Sequence, residues 1–318
     1  MPRTPSPAVG EHRRLGPGLA FAISSYVLWG FLPLLFLGLV PSGPLEIVAW
    51  RIVLSLAFCA LLLTITRTWP AFLRILRDRT AVLTLAVASV LVFINWFIYI
   101  IAATTNHIVE ASLGYFTNPI VTVLLGVFLL RERLRPLQWV AIGVSAVAVL
   151  VLAIGYGAFP WIAMALAFSF GLYGLVKKRV AGRADAIGGL TTETLLLSPV
   201  AIVMLVVVGF TTGLTVGTVS PLHTWLMASV GIATAIPLLF FAAGTRRLPL
   251  VYMGLTQYFA PVIQFIIGVV ILHEAMPVER WIGFAIVWLA LVILTIDMVV
   301  NGTRQRAAEA AATPEGAP

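Results

Sequence analysis

The chain has 318 residues, of which 61% are hydrophobic and only 10% are charged. Soluble domains carry about 25% charged residues, so the composition excludes a water-soluble fold and predicts a polytopic membrane protein. The net charge of +8 does not indicate nucleic-acid binding, because the basic residues form short clusters between apolar stretches. The single cysteine, Cys59, allows neither an intrachain disulfide nor a cysteine-based metal site.

Ten apolar stretches reach or approach the roughly 20 residues that a membrane-spanning helix needs. None shows the strict alternation of a membrane β-barrel strand. In chain order the predicted spans lie at residues 17–40, 45–66, 80–103, 109–130, 137–154, 158–176, 187–209, 222–243, 250–272 and 279–299. The first stretch is longer than the apolar core of a signal peptide, so we interpret it as a retained helix.

The basic residues alternate between the two sides of the membrane. Of the 20 lysines and arginines, 18 fall in the two tails or in the connections after spans 2, 4, 6 and 8, and only Arg51 and Arg280 remain for the other side. The positive-inside rule therefore places both termini in the cytoplasm. That placement requires an even number of spans, which ten satisfies.

The two halves of the chain are similar in sequence. An offset of 142 residues aligns four identical pairs, namely Pro119 with Pro261, Gly126 with Gly268, Glu132 with Glu274 and Trp139 with Trp281. The repeat unit contains five spans, an odd number, so the second copy enters the membrane from the opposite side. Inverted repeats of this kind suit alternating access and predict a carrier.

Ionisable side chains within the spans are expensive in a bilayer, at about 2.5 to 3.5 kcal/mol each on insertion scales. Glu46 and Arg51 lie on span 2, about 140° apart around a helix, and are poorly placed to pair with each other. Glu193 on span 7 is the repeat mate of Glu46. It is predicted either to carry a coupling proton or to pair with Arg51 across the bundle.

Polar and aromatic residues on five spans are the candidates for a substrate cavity. Span 3 offers Asn95, Trp96 and Tyr99, where the amide lines a cavity or joins two helices by a hydrogen bond. Spans 4 and 9 carry polar residues around a proline at matching depth, which indicates either a binding site or a helix kink. Their residues are Ser112, Tyr115, Asn118 and Pro119 on span 4, and Gln257, Tyr258, Pro261 and Gln264 on span 9.

Spans 1 and 6 add a matched aromatic pair, Trp29 and Tyr173, with Ser169 one turn before the tyrosine. These rings either stack on a substrate or pack within the bundle. We also include span 8 in the cavity wall.

No pattern indicates catalysis. His273-Glu274 lacks the second histidine of a zinc helix, and neither a nucleophile elbow nor a phosphate loop occurs. We therefore expect no enzyme, no metal and no cofactor, and a secondary carrier driven by an ion or substrate gradient.

The sequence resembles the drug/metabolite transporter superfamily, and within it the EamA-type carriers of the RarD group. The similarity extends over residues 17–299 and is most specific at 110–119 (EASLGYFTNP), 131–133 (RER) and 165–178 (ALAFSFGLYGLVKK). The resemblance implies an all-α membrane protein of ten transmembrane helices, arranged as two inverted five-helix EamA repeats around a central cavity. It further implies an inner-membrane location and export of small metabolites.

One departure from the superfamily concerns coupling. Its smaller four-helix exporters use a glutamate in the first helix, but the first span here has no acid between Pro17 and Val40. Any proton coupling therefore falls to Glu46, Glu110 or Glu193, and facilitated diffusion or exchange stays open.

The predicted organisation is a cytoplasmic N-terminal tail at 1–16, a first repeat at 17–154, a second repeat at 158–299 and a disordered cytoplasmic C-terminal tail at 300–318. The expected partners are a small-molecule substrate, amino-acid-like or amphipathic and drug-like, the lipid bilayer, and protons or a counter-substrate. Monomer and homodimer both stay open. The alternative is a non-transporting membrane sensor or partner protein on the same bundle; a channel is disfavoured because no charged ring or filter motif occurs.

Overall fold

A computed structural model describes residues 8–130, 136–156, 159–180, 182–245 and 256–312, and the regular structure of these ranges is helical throughout. The helices are α1 (Ala8–Leu37), α2 (Pro44–Ile65), α3 (Trp69–Arg77), α4 (Arg79–Thr104), α5 (Ile108–Leu130), α6 (Pro136–Tyr156), α7 (Trp161–Val180), α8 (Ala186–Thr211), α9 (Pro221–Thr245), α10 (Phe259–Ile266) and α11 (Val278–Ala312). A π-helical segment, Ile267–Ile271, continues α10.

Six helices are long and apolar enough to cross a membrane: α1, α2, α4, α8, α9 and α11. Shorter apolar helical stretches lie at Trp139–Val151, Trp161–Lys177 and Phe259–Ile271, and α5 has 23 residues. The prediction of an all-α, multi-pass membrane protein is therefore confirmed.

The structure differs from the predicted organisation at three places. Between spans 2 and 3 it contains the short helix α3, which was not predicted because its pattern is brief: Phe72 and Ile75 are buried while Arg74 is exposed. The helix α1 begins at Ala8, inside the predicted tail, and α11 continues to Ala312, inside the predicted disordered tail. The last segment is rich in alanine, the strongest helix former, which explains why helix persists there.

The helices pack across the two halves of the chain. The helix α2 contacts α8 and α9, and α4 contacts α7 and α8. The helix α1 contacts α9 and α10, α5 contacts α7 and α10, and α6 contacts α11. The larger buried apolar cluster joins helices of both halves, and a second cluster lies among α5, α6, α7, α10 and α11.

Two glycines permit the closest of these approaches. A β-carbon on Gly231 of α9 would lie 2.5 Å from the carbonyl carbon of Leu54 on α2, and one on Gly114 of α5 would lie 2.7 Å from the carbonyl oxygen of Ala163 on α7. Because both contacts are with backbone, any side chain would push the helices apart. This is the packing role expected for small residues between membrane helices.

The junction of α3 and α4 is held by Asp78, the N-cap of α4. Its Oδ1 accepts hydrogen bonds from the backbone N–H groups of Thr80 (3.0 Å) and Ala81 (3.1 Å), and its Oδ2 lies 3.0 Å from Nη1 of Arg183 before α8. The Ala81 hydrogen bond and the Arg183 guanidinium lower the pKa of the Asp78 carboxyl. The pair ties the loops of the two halves together at an exposed position.

Candidate functional site

Three buried or half-buried glutamates, here called the helix-end carboxylates, accept backbone hydrogen bonds near helix termini: Glu46, Glu110 and Glu274. Glu46 in the first turn of α2 is 1% exposed. Its Oε1 accepts from the backbone N–H of Thr215, and its Oε2 accepts from the Thr215 hydroxyl, both at 2.9 Å. Glu46 therefore fastens the α8–α9 connection to α2.

The other two helix-end carboxylates fasten α5 and α7. Glu110, in the first turn of α5, accepts from the backbone N–H of Ile162 at the start of α7 (3.1 Å). Glu274, before α11, accepts from the N–H groups of Ile108 (2.6 Å) and Val109 (3.0 Å) in the first turn of α5. Burial raises the pKa of the Glu274 carboxyl, and these two hydrogen bonds act in the opposite direction. Sequence reasoning did not place Glu274 in the site and missed its role as a cap.

Glu193 lies deeper, in the interior of α8, and is 1% exposed. Its Oε1 is 2.7 Å from the Nζ of Lys177, and its Oε2 accepts from the Tyr173 hydroxyl at 3.2 Å, both on α7. Pairing with Arg51, one of the predicted alternatives, is not seen. Lys177 takes that place, and sequence reasoning missed it because Lys177 was assigned to the connection after span 6.

Arg51 is the centre of a second buried group, the Arg51 aromatic cluster, formed by Arg51, Trp96, Phe36 and Tyr99. Arg51 on α2 is 3% exposed, and its guanidinium carbon lies 4.2 Å from the centroid of the Trp96 ring and 5.5 Å from that of Phe36. The Tyr99 ring meets Phe36 edge to face, at 6.0 Å between centroids. Phe36 was not predicted as a site residue.

Three buried polar atoms of the Arg51 aromatic cluster have no hydrogen-bonding partner among the described residues. The Nε and Nη1 atoms of Arg51 and the hydroxyl oxygen of Tyr99 are buried, and in the described part of the chain no group is hydrogen-bonded to them. The ion pairs seen between described residues are those of Lys177 with Glu193 and Arg183 with Asp78. Arg51 is thus a buried cation without a carboxylate of the described residues beside it.

Asn95 connects this cluster to α5 and α7. Its Nδ2 donates to the carbonyl of Leu166 (3.2 Å) and to Ser169 Oγ (3.1 Å), and its Oδ1 accepts from the Tyr115 hydroxyl (3.2 Å). The Tyr115 ring lies 5.6 Å from that of Tyr99. Asn95, Ser169, Tyr115 and Tyr99 therefore form one continuous polar and aromatic layer with the Arg51 aromatic cluster.

A similar layer occurs where α1 meets α9 and α10. The Trp29 ring lies 5.8 Å from that of Phe241 on α9, and the Nε2 of Gln264 donates to the Trp29 carbonyl at 3.3 Å. Ser112 donates from α5 to the carbonyl of Pro261 at 3.1 Å. These contacts bring the predicted residues of spans 1, 4 and 9 together, and they add Phe241, which was not predicted.

The remaining predicted residues are less informative. Gln257 and Tyr258 lie in the turn before α10, and Tyr258 packs against the second apolar cluster, away from Arg51. Asn118 is buried on α5 near Gly171. The side chain of Pro119 lies outside the described residues.

The described residues contain no group of three or more histidine, cysteine, aspartate and glutamate side chains that could hold a metal ion. The chemistry that this layer offers is binding: hydrogen-bond donors, a cation and aromatic faces inside an apolar bundle.

Comparison with known proteins also indicates a membrane transporter. The chain matches the EamA-like transporter family over residues 16–154. It is 46% identical to protein RarD of Streptomyces exfoliatus, over 93% of this chain and 94% of that one, and 40% identical to the transporter YojE of Bacillus subtilis, over 91% and 97%. A solved crystal structure that is 19% identical superposes with a TM-score of 0.57 over 88% of this chain and 96% of that chain, and so shares the fold.

Proposed function

The chain belongs to the EamA-like transporter family and to its RarD-type members, and on that premise we propose that it is a secondary carrier that exports small metabolites by alternating access. Proteins of this family are membrane transporters and not enzymes. The observation that carries the proposal is the layer of buried polar and aromatic side chains between the two halves. Polar groups are costly within a membrane bundle and concentrate where a substrate passes.

We propose further that ten helices cross the membrane, α3 excepted, as two inverted repeats, α1–α6 and α7–α11. The contacts support this arrangement, because they keep their pattern when each helix is exchanged for its repeat mate. The contact of α1 with α9 corresponds to that of α7 with α4, and the contact of α1 with α10 corresponds to that of α7 with α5. The contacts of α2 with α8 and of α6 with α11 each correspond to themselves.

Individual hydrogen bonds support the same exchange. Ser25 on α1 donates to the carbonyl of Pro237 on α9, at 2.8 Å. Ser169, which aligns with Ser25 at an offset of 144 residues, lies 3.1 Å from the Nδ2 of Asn95, and Asn95 aligns with Pro237 at an offset of 142 residues. Two related contacts that join the halves are what a carrier needs to exchange the roles of its halves between inward-facing and outward-facing states.

For orientation we propose an inner-membrane protein with both termini in the cytoplasm, on the distribution of its basic residues. In that orientation the Glu193–Lys177–Tyr173 group faces the cytoplasmic half. The helix-end carboxylates are all engaged by backbone groups, so Glu193 is the acid that we propose for coupling to a proton gradient.

Counterflow in liposomes tests the carrier. Vesicles with purified protein and preloaded substrate should show saturable, transient accumulation of labelled substrate, and Asn95→Ala should lower its rate because α4, α5 and α7 lose their shared amide. Non-saturable flux would indicate a channel, and no flux for any compound would favour the sensor or partner protein. Glu193→Gln should abolish uptake driven by a pH gradient while counterflow persists; unchanged gradient-driven uptake would reject Glu193 as the coupling acid.

A further inference from the structure

We propose that Arg51 binds a carboxylate of the transported molecule, so that the substrates are organic anions or zwitterions with an apolar or aromatic body. This inference rests on the proposed carrier function and names the substrate class of the same site. It starts from a single anomaly, a buried guanidinium for which the described residues supply no acceptor.

A buried charge without a counter-charge or a hydrogen-bonding partner is costly. Buried charges in proteins are almost always paired or hydrogen-bonded, because an isolated ion loses its hydration on leaving water. Arg51 is 3% exposed, and its Nε and Nη1 have no acceptor among the described residues. A ligand that supplies the missing negative charge would explain why an arginine is buried at this position.

The buried acids on α2 and on α8, which packs against α2, are engaged elsewhere. Both oxygens of Glu46, on the same helix, accept from Thr215, and those of Glu193 accept from Lys177 and Tyr173. Neither carboxylate can turn to Arg51 without giving up two hydrogen bonds. The protein therefore leaves the guanidinium to an acceptor from outside.

The chemistry of the guanidinium favours a planar acceptor such as a carboxylate. The ring of Trp96 lies 4.2 Å from the guanidinium carbon, and Phe36 lies 5.5 Å away, so the aromatic rings occupy its neighbourhood while the N–H groups stay unbonded. Carboxylates bind arginine through paired, in-plane hydrogen bonds. The Tyr99 ring meets the same Phe36 ring, and its buried hydroxyl, unbonded among the described residues, supplies a further donor.

The side chains near the Arg51 aromatic cluster indicate the chemical character of the rest of the ligand. The rings of Tyr99 and Tyr115 pack together at 5.6 Å, and Phe170 lies 6.1 Å from Tyr115. An apolar or aromatic body adjoining the carboxylate would find aromatic faces there. Arg51 also lies seven residues into α2, about 10 Å below its first residue at 1.5 Å per residue, which favours a small molecule over a lipid headgroup.

Matched pairs of acids and amides test the inference without any mutation. We would measure counterflow and thermal stabilisation of the wild-type protein with phenylalanine and phenylalaninamide, leucine and leucinamide, and benzoate and benzamide. Measuring stabilisation in lipid-free detergent separates these ligands from lipid headgroups. We expect at least one acid to bind about 30-fold more tightly than its amide, the loss that accompanies removal of one partner of a buried charge pair.

Variants then assign the preference to Arg51. Arg51→Gln should abolish the preference for the acid, and Arg51→Lys should retain part of it, because an ammonium keeps the charge but lacks the planar fork. Arg183→Gln, which removes the same charge at an exposed site, should behave as wild type. If Arg51→Gln does not fold, the acid and amide pairs measured with the wild type and with Arg51→Lys decide whether Arg51 binds the carboxylate.

The outcomes distinguish this inference from the proposed function. Saturable counterflow of amides at least as good as that of their acids would overturn the carboxylate site and leave the carrier intact. An acid preference that persists in Arg51→Gln would also overturn it. No counterflow of any compound would overturn the carrier itself, and the inference with it.

Discussion

The helix-end carboxylates and the Arg51 aromatic cluster are both buried and charged, but the chain treats them in opposite ways. Each of the three carboxylates accepts backbone N–H groups from another helix or connection. Arg51 lies among aromatic rings with N–H groups that no described residue engages. The first arrangement is complete within the protein, and the second is complete only with a ligand.

The helix ends of the bundle are therefore tied together by buried hydrogen bonds, whereas its interior keeps a charge that is free to bind a ligand. A carboxylate at a helix N-terminus accepts hydrogen bonds from the unpaired N–H groups of the first turn and interacts favourably with the helix dipole. Its removal should therefore cost stability. A buried cation that has aromatic contacts but no counter-charge or hydrogen-bond acceptor is not compensated for its full desolvation cost in the folded state, so its removal should cost binding and little stability. The predictions below test this contrast.

The largest loss of stability is expected for Glu274→Ala. It leaves the N–H groups of Ile108 and Val109 without their acceptor, at about 1–3 kcal/mol for each buried donor, or about 2–6 kcal/mol in all. Thermal or denaturant unfolding of the purified protein measures the change. Glu274→Gln, which keeps one acceptor oxygen, should lose less.

Glu279→Ala is the matched control for that experiment, since it removes a partly exposed acid a few residues away in the first turn of α11. We expect it to unfold nearly as wild type. Equal losses for Glu274→Ala and Glu279→Ala would show that Glu274 does not hold α5 in place.

A smaller loss is expected for Lys177→Met, which leaves Glu193 buried without its cation. The cost should be about 1–3 kcal/mol, below that of a fully buried pair, because the Lys177 side chain is 29% exposed. Adding Glu193→Gln should restore part of the stability, since an amide needs no counter-charge. A double-mutant cycle of unfolding measures the coupling, and additive effects would argue against a stabilising pair.

The smallest loss is expected for Asp78→Asn at the exposed pair with Arg183. Asparagine is also a good N-cap, so chiefly the ion pair is lost, and exposed pairs contribute little. Because the pKa of Asp78 is lowered in the folded protein, its contribution is present at neutral pH and disappears as the pH falls through that lowered value. Wild type and Asp78→Asn should therefore converge in melting temperature in acid, and a difference that widens in acid would contradict this assignment.

Much of the fold could be predicted, because hydropathy and charge report directly on a bilayer. Every predicted span except 250–272 overlaps one helix, and most of the predicted ends lie within a few residues of the helix ends. The span predicted at 250–272 begins outside the described residues. The helix α3 was not predicted because a segment of nine residues with two buried side chains shows little hydrophobic periodicity. The first residues of α1 and the last residues of α11 were not predicted to be helical, because the two tails were assigned by composition and not by helix propensity.

The candidate site was predicted in its residues more than in its contacts. Asn95, Tyr115 and Ser169 were each singled out, but their common hydrogen bonds depend on how α4, α5 and α7 pack, which one sequence does not specify. The choice between Lys177 and Arg51 as the partner of Glu193 depends on the same packing. A lysine one turn after Tyr173 on span 6 was the available signal.

The most direct test of the contrast compares unfolding of wild type and Arg51→Met, each with and without the best-bound acid. We predict that without ligand Arg51→Met is as stable as wild type or more so, because a desolvated cation is replaced by an apolar side chain. With ligand at 100 times its dissociation constant, wild type alone should gain about 2.7 kcal/mol. A fall of several kcal/mol in Arg51→Met without ligand, together with an undiminished gain on adding the acid, would contradict the account.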